Sequence, residues 1–209
     1  MKKKVQFLRG AVFTAILFAA VLSCGGGGGD GGSPNLLGGG IIYAIGDTGP
    51  GGGIIFYYDA AGFIVNAPSL GYNNKTCYYL EAAPADLGAP LEWATESKKG
   101  AYINAKGTAI GTGAANTGAI LAGDPDALAA KACDEYTNGG KADDWFLPTT
   151  SELEKLWGNR SYVDNFTVAK RWSSYQASSP ADAAASVQQF SISADPKRTP
   201  LLVRPIRAF

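Results

Sequence analysis

Apolar and polar residues change their period twice along this chain, and the changes mark out its elements. Residues 41–45 and 54–58 are rich in Ile, Tyr and Phe, and Gly46-Asp47-Thr48-Gly49-Pro50-Gly51-Gly52-Gly53 separates them. They read as two strands joined by a glycine-rich connection. A turn at 59–62 and strands over 63–65 and 77–84 follow. Residues 103–116 then form a low-charge loop with Gly107, Gly111 and Gly113, leading into a short helical stretch from Asn116 or Thr117. Asp124 as N-cap with Pro125 behind it predicts a helix with Leu128, Ala132, Cys133 and Tyr136 on one face, ending at Asn138-Gly139-Gly140. Thr149 and Glu152 have capping-box spacing, and Leu153, Leu156 and Trp157 supply the apolar stripe of the helix they open. Strand patterns return over 171–175, 186–193 and 201–209. The order β, α, β predicts one α+β domain, in which a mixed or antiparallel sheet joins the N- and C-terminal strands. Two or three helices from the middle of the chain lie on one side of it.

The first 40 residues follow a different logic. Lys2, Lys3, Lys4 and Arg9 precede an uncharged stretch, residues 11–22, which has the length of a leader's apolar core and is too short to span a bilayer. Val21-Leu22-Ser23-Cys24 then reads as the acylation motif of a bacterial lipoprotein, with Leu22 where Ala or Ser is commoner. The expected organisation is a cleaved leader over 1–23, a lipidated Cys24 opening a glycine-rich linker over 24–40, and a domain over 41–209. Each buried methylene of an acyl chain contributes roughly 0.8 kcal/mol, so two or three chains hold the protein to a membrane permanently. The linker has ten glycines in residues 25–40 and spans about 22 Å as a flexible coil. Gly25 is not the aspartate that retains lipoproteins in the inner membrane of enteric bacteria, so the expected location is the outer membrane or the cell surface.

Removal of the leader takes four of the eighteen basic residues and none of the eighteen acids, leaving fourteen against eighteen and a net charge of −4. That balance excludes a general nucleic-acid binder. From Leu156 onward, however, seven basic residues face three acids. They either pair with acids such as Asp143, Asp144 and Glu152 or form a ligand-facing basic patch. The candidate ligand contacts are Lys170, Arg171, Trp172, Lys197, Arg198 and Arg207. Arg204 and Arg207 flank Pro205 and are expected on opposite faces, so at most one lines a ligand surface. Trp145 and Trp172 either stack on a sugar ring or fill the core. Asp143 and Asp144 could lend oxygens to calcium, but adjacent carboxylates diverge and no partner cluster follows. The glycine-rich turn lacks the Lys-Ser/Thr of a phosphate loop and leads into a β-branched run rather than a helix. Cys77 and Cys133 either form a disulfide or lie apart, one in a strand and one in a helix. The chain has no histidine, which excludes a thiol–imidazole nucleophile and a His-ligated metal. No catalytic residue, metal or cofactor is expected.

Six strings in one order carry a resemblance: IGDTGPGGGIIFYYD (45–59), YLEAAPADL (79–87), IGTGAANTGAIL (110–121), AAKACDEYTNGGKADDWFLPTTSELEKLW (129–157), RWSSYQ (171–176) and VRPIRAF (203–209). Together they make the domain similar to the Legionella collagen-like protein C-terminal domain family. The resemblance implies a surface domain in the neighbourhood of C-type-lectin-like folds, and an adhesin-like role, its collagen-like relative recognising sulfated polysaccharide. The present chain has a glycine linker without Gly-X-Y period in place of a collagen stalk. The expected function is therefore a lipid-anchored, non-catalytic binding module for a glycan or a host extracellular protein. The alternatives are an envelope enzyme of lectin-like fold, which would need reactive thiols at Cys77 and Cys133 or a metal, and a structural envelope protein.

Overall fold

A computed structural model describes residues 42–140, 144–177 and 181–209. The expected leader and linker, with Cys24, and Ile41 and Asp143 lie outside the described residues. Two three-stranded antiparallel sheets carry the fold, with three α-helices among the described residues. β1 (Ile54–Ala67) pairs with β2 (Tyr72–Ala82), which pairs on its other side with β6 (Ile206–Ala208). The second sheet has the order β3 (Arg171–Gln176), β4 (Ala183–Gln188), β5 (Ser191–Pro196). α1 (Gly113–Gly123) touches both β1 and β3, and α3 (Thr150–Gly158) touches β1, β3 and β4, while α2 (Leu128–Asp134) packs on α1. The α+β expectation holds, and the N- and C-terminal strands do share a sheet, but β3, β4 and β5 form a sheet of their own.

α3 forms where the capping box places it. Thr149 Oγ1 accepts from Glu152 N at 3.1 Å, and the Glu152 carboxylate accepts from Thr149 N at 2.7 Å. Leu153, Leu156 and Trp157 are buried, the first two in a core with Phe56, Val65, Leu80, Phe146 and Ile206. A second core gathers Trp93, Ile120, Leu147, Trp172 and Val203.

Five expectations differ from the structure. Residues 42–45 are no strand, because Asp47 folds back and its carboxylate accepts from Ala44 N at 2.7 Å. The turn at 59–62 is a bulge inside β1: Tyr58 pairs with Tyr79 and Phe63 with Cys77, so three extra residues sit on the β1 side. Asp124 caps no helix N-terminus; α1 ends at it, and its carboxylate accepts from Thr95 N and Oγ1. α2 begins only at Leu128, which is exposed, and buries Ala129, Ala130 and Cys133. The run 186–193 is a hairpin whose two-residue turn puts Gln189 at φ +60°, the region glycine usually occupies. Of the run 201–209, only Ile206–Ala208 is strand; Leu201 and Leu202 bridge to Leu91 and Arg171.

Candidate functional site

Nearly every cation proposed as a ligand contact is occupied within the fold. Arg171 is 2% exposed and grips Asp86 with two bonds, Nε to Oδ1 at 2.9 Å and Nη2 to Oδ2 at 2.7 Å. Its Nη1 donates to the carbonyls of Thr167 and Ala169. Arg204 reaches the same Asp86 from the other side, Nε to Oδ1 at 2.9 Å, and both guanidinium groups lie over the Phe166 ring. Lys197 is buried, donates to Ala101 O and stands 5.0 Å from the Trp93 ring centre; burial draws its pKa down to about 8. Trp172 is buried, with Nε1 bonded to Leu91 O. Lys170 pairs with Asp195 at 2.9 Å, Arg198 with Glu92 and Glu96, and Arg207 with Glu81 and Asp144. Of the two alternatives for the basic residues, pairing within the fold is the one seen, and the buried cations among them each face an acid or a carbonyl, as burial of a charge requires. Arg204 and Arg207 both serve as anchors. Trp145 fills the core as well, its ring against the glycines of the 49–53 loop. Cys77 and Cys133 are free thiols in different cores, so the disulfide does not form, and burial raises both thiol pKa values.

The glycine-rich turn has a structural task. Gly51 N and Gly53 N donate to the two oxygens of the fully buried Glu81 carboxylate at 2.9 and 3.0 Å, and Arg207 Nη1 adds a third bond at 2.7 Å. A Cβ at Gly49 or Gly51 would overlap that carboxylate, and one at Gly53 the carbonyl of Ala82. A second caged carboxylate belongs to Glu152, which accepts from Gly111 N at 2.8 Å as well as from Thr149 N. No cation among the described residues pairs with it. Burial lifts its pKa to about 7, against the weaker pull of the backbone N–H groups. A folded-state pKa above the unfolded value of about 4.5 gives stability that is present below pH 4.5 and is lost as pH rises through 7. Urea unfolding at pH 4.5, 6 and 8 should therefore show wild-type stability falling relative to Glu152→Gln, by roughly 3 kcal/mol over the range. A gap that stays constant with pH would contradict a titrating Glu152.

The open feature of the molecule is aromatic. Inward residues of β1, β2 and β6 (Phe56, Val65, Leu80, Ala82, Ile206 and Ala208) pack with Leu153 and Leu156 of α3. On the opposite face Tyr58 stacks on Tyr79, ring centres 4.8 Å apart and 28° between planes, and Tyr79 stacks on Phe209 at 5.4 Å and 18°. Tyr43 closes the far end, edge-on to Tyr79 and Phe209. Two bulges shape this row. Tyr78 N and Tyr79 N both donate to Phe209 O, at 2.8 and 3.1 Å, so the extra residue of β2 turns two successive tyrosines toward the open side. In β1 the bulge is held by Asp59, which accepts from Ala61 N, and by Gly62 at φ +74°, where a Cβ would crowd Tyr78 and Thr76. Tyr58 remains 45% exposed and Tyr78 38%. Of the proposed ligand contacts only Arg207 touches the row, 5.5 Å from the Phe209 ring centre. The aromatic strings were visible in the sequence, but a bulge leaves no local signature there.

No protein-family model matches this chain, and no curated protein matches it.

Proposed function

We propose that this chain is a lipid-anchored lipoprotein of the bacterial outer membrane or cell surface, whose domain binds a glycan or a host extracellular protein and performs no chemistry on it. On this reading Cys24 carries the acyl chains, residues 24–40 are the tether, and the domain belongs to the Legionella collagen-like protein C-terminal domain family, with its C-type-lectin-like kinship and adhesin-like role. The observation that carries the proposal is the partly exposed aromatic row on the face of the first sheet turned away from α3. Rings left in water lose the stabilisation of burial, and clustered exposed apolar surface marks a place where something else covers it. The sulfated-polysaccharide preference of the collagen-like relative has less support here, because the basic residues are engaged within the domain.

Mass spectrometry of the mature amino terminus, with affinity electrophoresis of the full chain against polysaccharides and matrix proteins, tests the proposal. The expected results are a diacylglyceryl-modified Cys24 and retardation by at least one ligand. An unacylated, freely diffusing product that no ligand retards would overturn it.

A further inference from the structure

We infer that the aromatic row is a subsite for an uncharged pyranose, which stacks on the outer face of Tyr58 and is flanked by Tyr78. The inference deepens the binding reading above by naming the ligand class. Within the row most ring faces are already used: Tyr79 is sandwiched between Tyr58 and Phe209, and Tyr43 stands edge-on at the end. Tyr58, last in the row and 45% exposed, is the ring with a face to spare. A pyranose offers a flat patch of C–H groups bordered by hydroxyls, the counterpart of a ring with a phenol at its edge. The hydroxyls of Tyr58, Tyr78 and Tyr79 make no hydrogen bond among the described residues, which leaves them available to a saccharide.

Charge decides against an anionic sugar. Arg207, the cation at the row, has Nη1 committed to Glu81 and Nε to Asp144. The acids at the margins are Asp59, next to Tyr58 in the chain, and Asp47, bound to Ala44 N beside Tyr43. A sulfate or uronate on the row would meet these carboxylates, while Arg207 is already paired and Lys75, the lysine of β2, stands over the Tyr72 ring. An uncharged saccharide meets no such repulsion.

One exposed ring makes a shallow site, so a single copy should bind weakly, with Kd on the order of 1 mM. Many tethered copies facing a repeating polymer would gain about 10²–10⁴ in avidity.

The test is titration of the purified full chain in detergent with neutral hexaoses (cello-, malto-, xylo- and N-acetylchitohexaose) and with heparin, at low and high salt, followed by NMR. Saturable binding of a neutral hexaose that is indifferent to salt is expected. It should weaken about tenfold in Tyr58→Leu and less in Tyr78→Leu, persist in Tyr58→Phe, and be unchanged in Arg198→Ala. Near-UV circular dichroism of each variant separates lost folding from a lost ring. Binding of heparin alone, salt-sensitive and indifferent to Tyr58→Leu, would overturn the inference and leave the binding reading standing. Binding of neither probe nor of any matrix protein would overturn both.

Discussion

Asp86→Ala should destabilise this domain by about 3–5 kcal/mol, because it strands two buried guanidinium groups at once. Arg171 and Arg204 are 2% and 0% exposed, and Asp86 is the carboxylate that neutralises both. Arg204 already carries one buried nitrogen, Nη2, without a hydrogen-bond partner, so little local reserve exists to absorb the loss. For a domain of this size the effect corresponds to a drop in Tm of roughly 6–20 °C, readable by calorimetry. Asp86→Asn keeps an acceptor and loses the charge, and should fall between wild type and alanine. Burial raises the Asp86 pKa, but hydrogen bonds from Arg171 and Arg204 outweigh it and hold the group below its ordinary value. Its contribution is thus present above pH 4 and lost as pH falls through the lowered pKa, and the alanine variant should lack that acid-side loss. A ΔΔG under 1 kcal/mol would mean that the two arginines find other partners.

Glu81→Ala should be of comparable size, about 3–5 kcal/mol, for a different reason. Three donors converge on this carboxylate, two from backbone and one from Arg207, and the whole 49–53 loop is wrapped around it. Without it, Gly51 N and Gly53 N are left facing a cavity and Arg207 keeps only Asp144. Hydrogen exchange should locate the damage: protection of the Gly51 and Gly53 amides should collapse well before global unfolding, while α3 amides stay protected. The converse variant, Gly53→Ala, keeps the carboxylate and inserts a methyl against the carbonyl of Ala82 and the Trp145 ring; overpacking of this kind costs about 1–3 kcal/mol. Unchanged protection of the loop in Glu81→Ala would show that the glycines hold their shape without their anion.

What the sequence made legible is what short-range physics determines. The Thr149–Glu152 box, the apolar stripe of α3 and the strand at 171–176 depend on residues within a few positions of one another, and each stands where its pattern puts it. Where a partner lies far along the chain, the pattern misleads. Asp124-Pro125 has the chemistry of a helix start, yet its carboxylate is taken by Thr95, 29 residues away. Asp59 to Gly62 has turn chemistry and makes a turn-like excursion, but β2 keeps both flanks in one strand. Gln189 and Phe190 carry no glycine, asparagine or aspartate, so the hairpin they close was invisible. The candidate site follows the same rule. Its aromatic residues stood in the strings quoted above, but a sheet and two bulges bring them together, while the basic candidates other than Lys197 are neutralised by acids 25 to 126 positions away.

The segment from Leu201 to Phe209 also has a bearing on how the protein is made. It bonds to Leu91, to Trp172 and Lys170, to Ala83, to Phe146 and to Tyr79 in turn, and so stitches together regions from Tyr79 to Trp172. Such contacts are costly in loop closure and slow to form. A chain still emerging from the ribosome has no access to this seam until its final stretch arrives. Synthesis therefore delivers an open polypeptide that closes only when its last residues are made, and truncation ahead of Leu201 would leave it open to proteolysis.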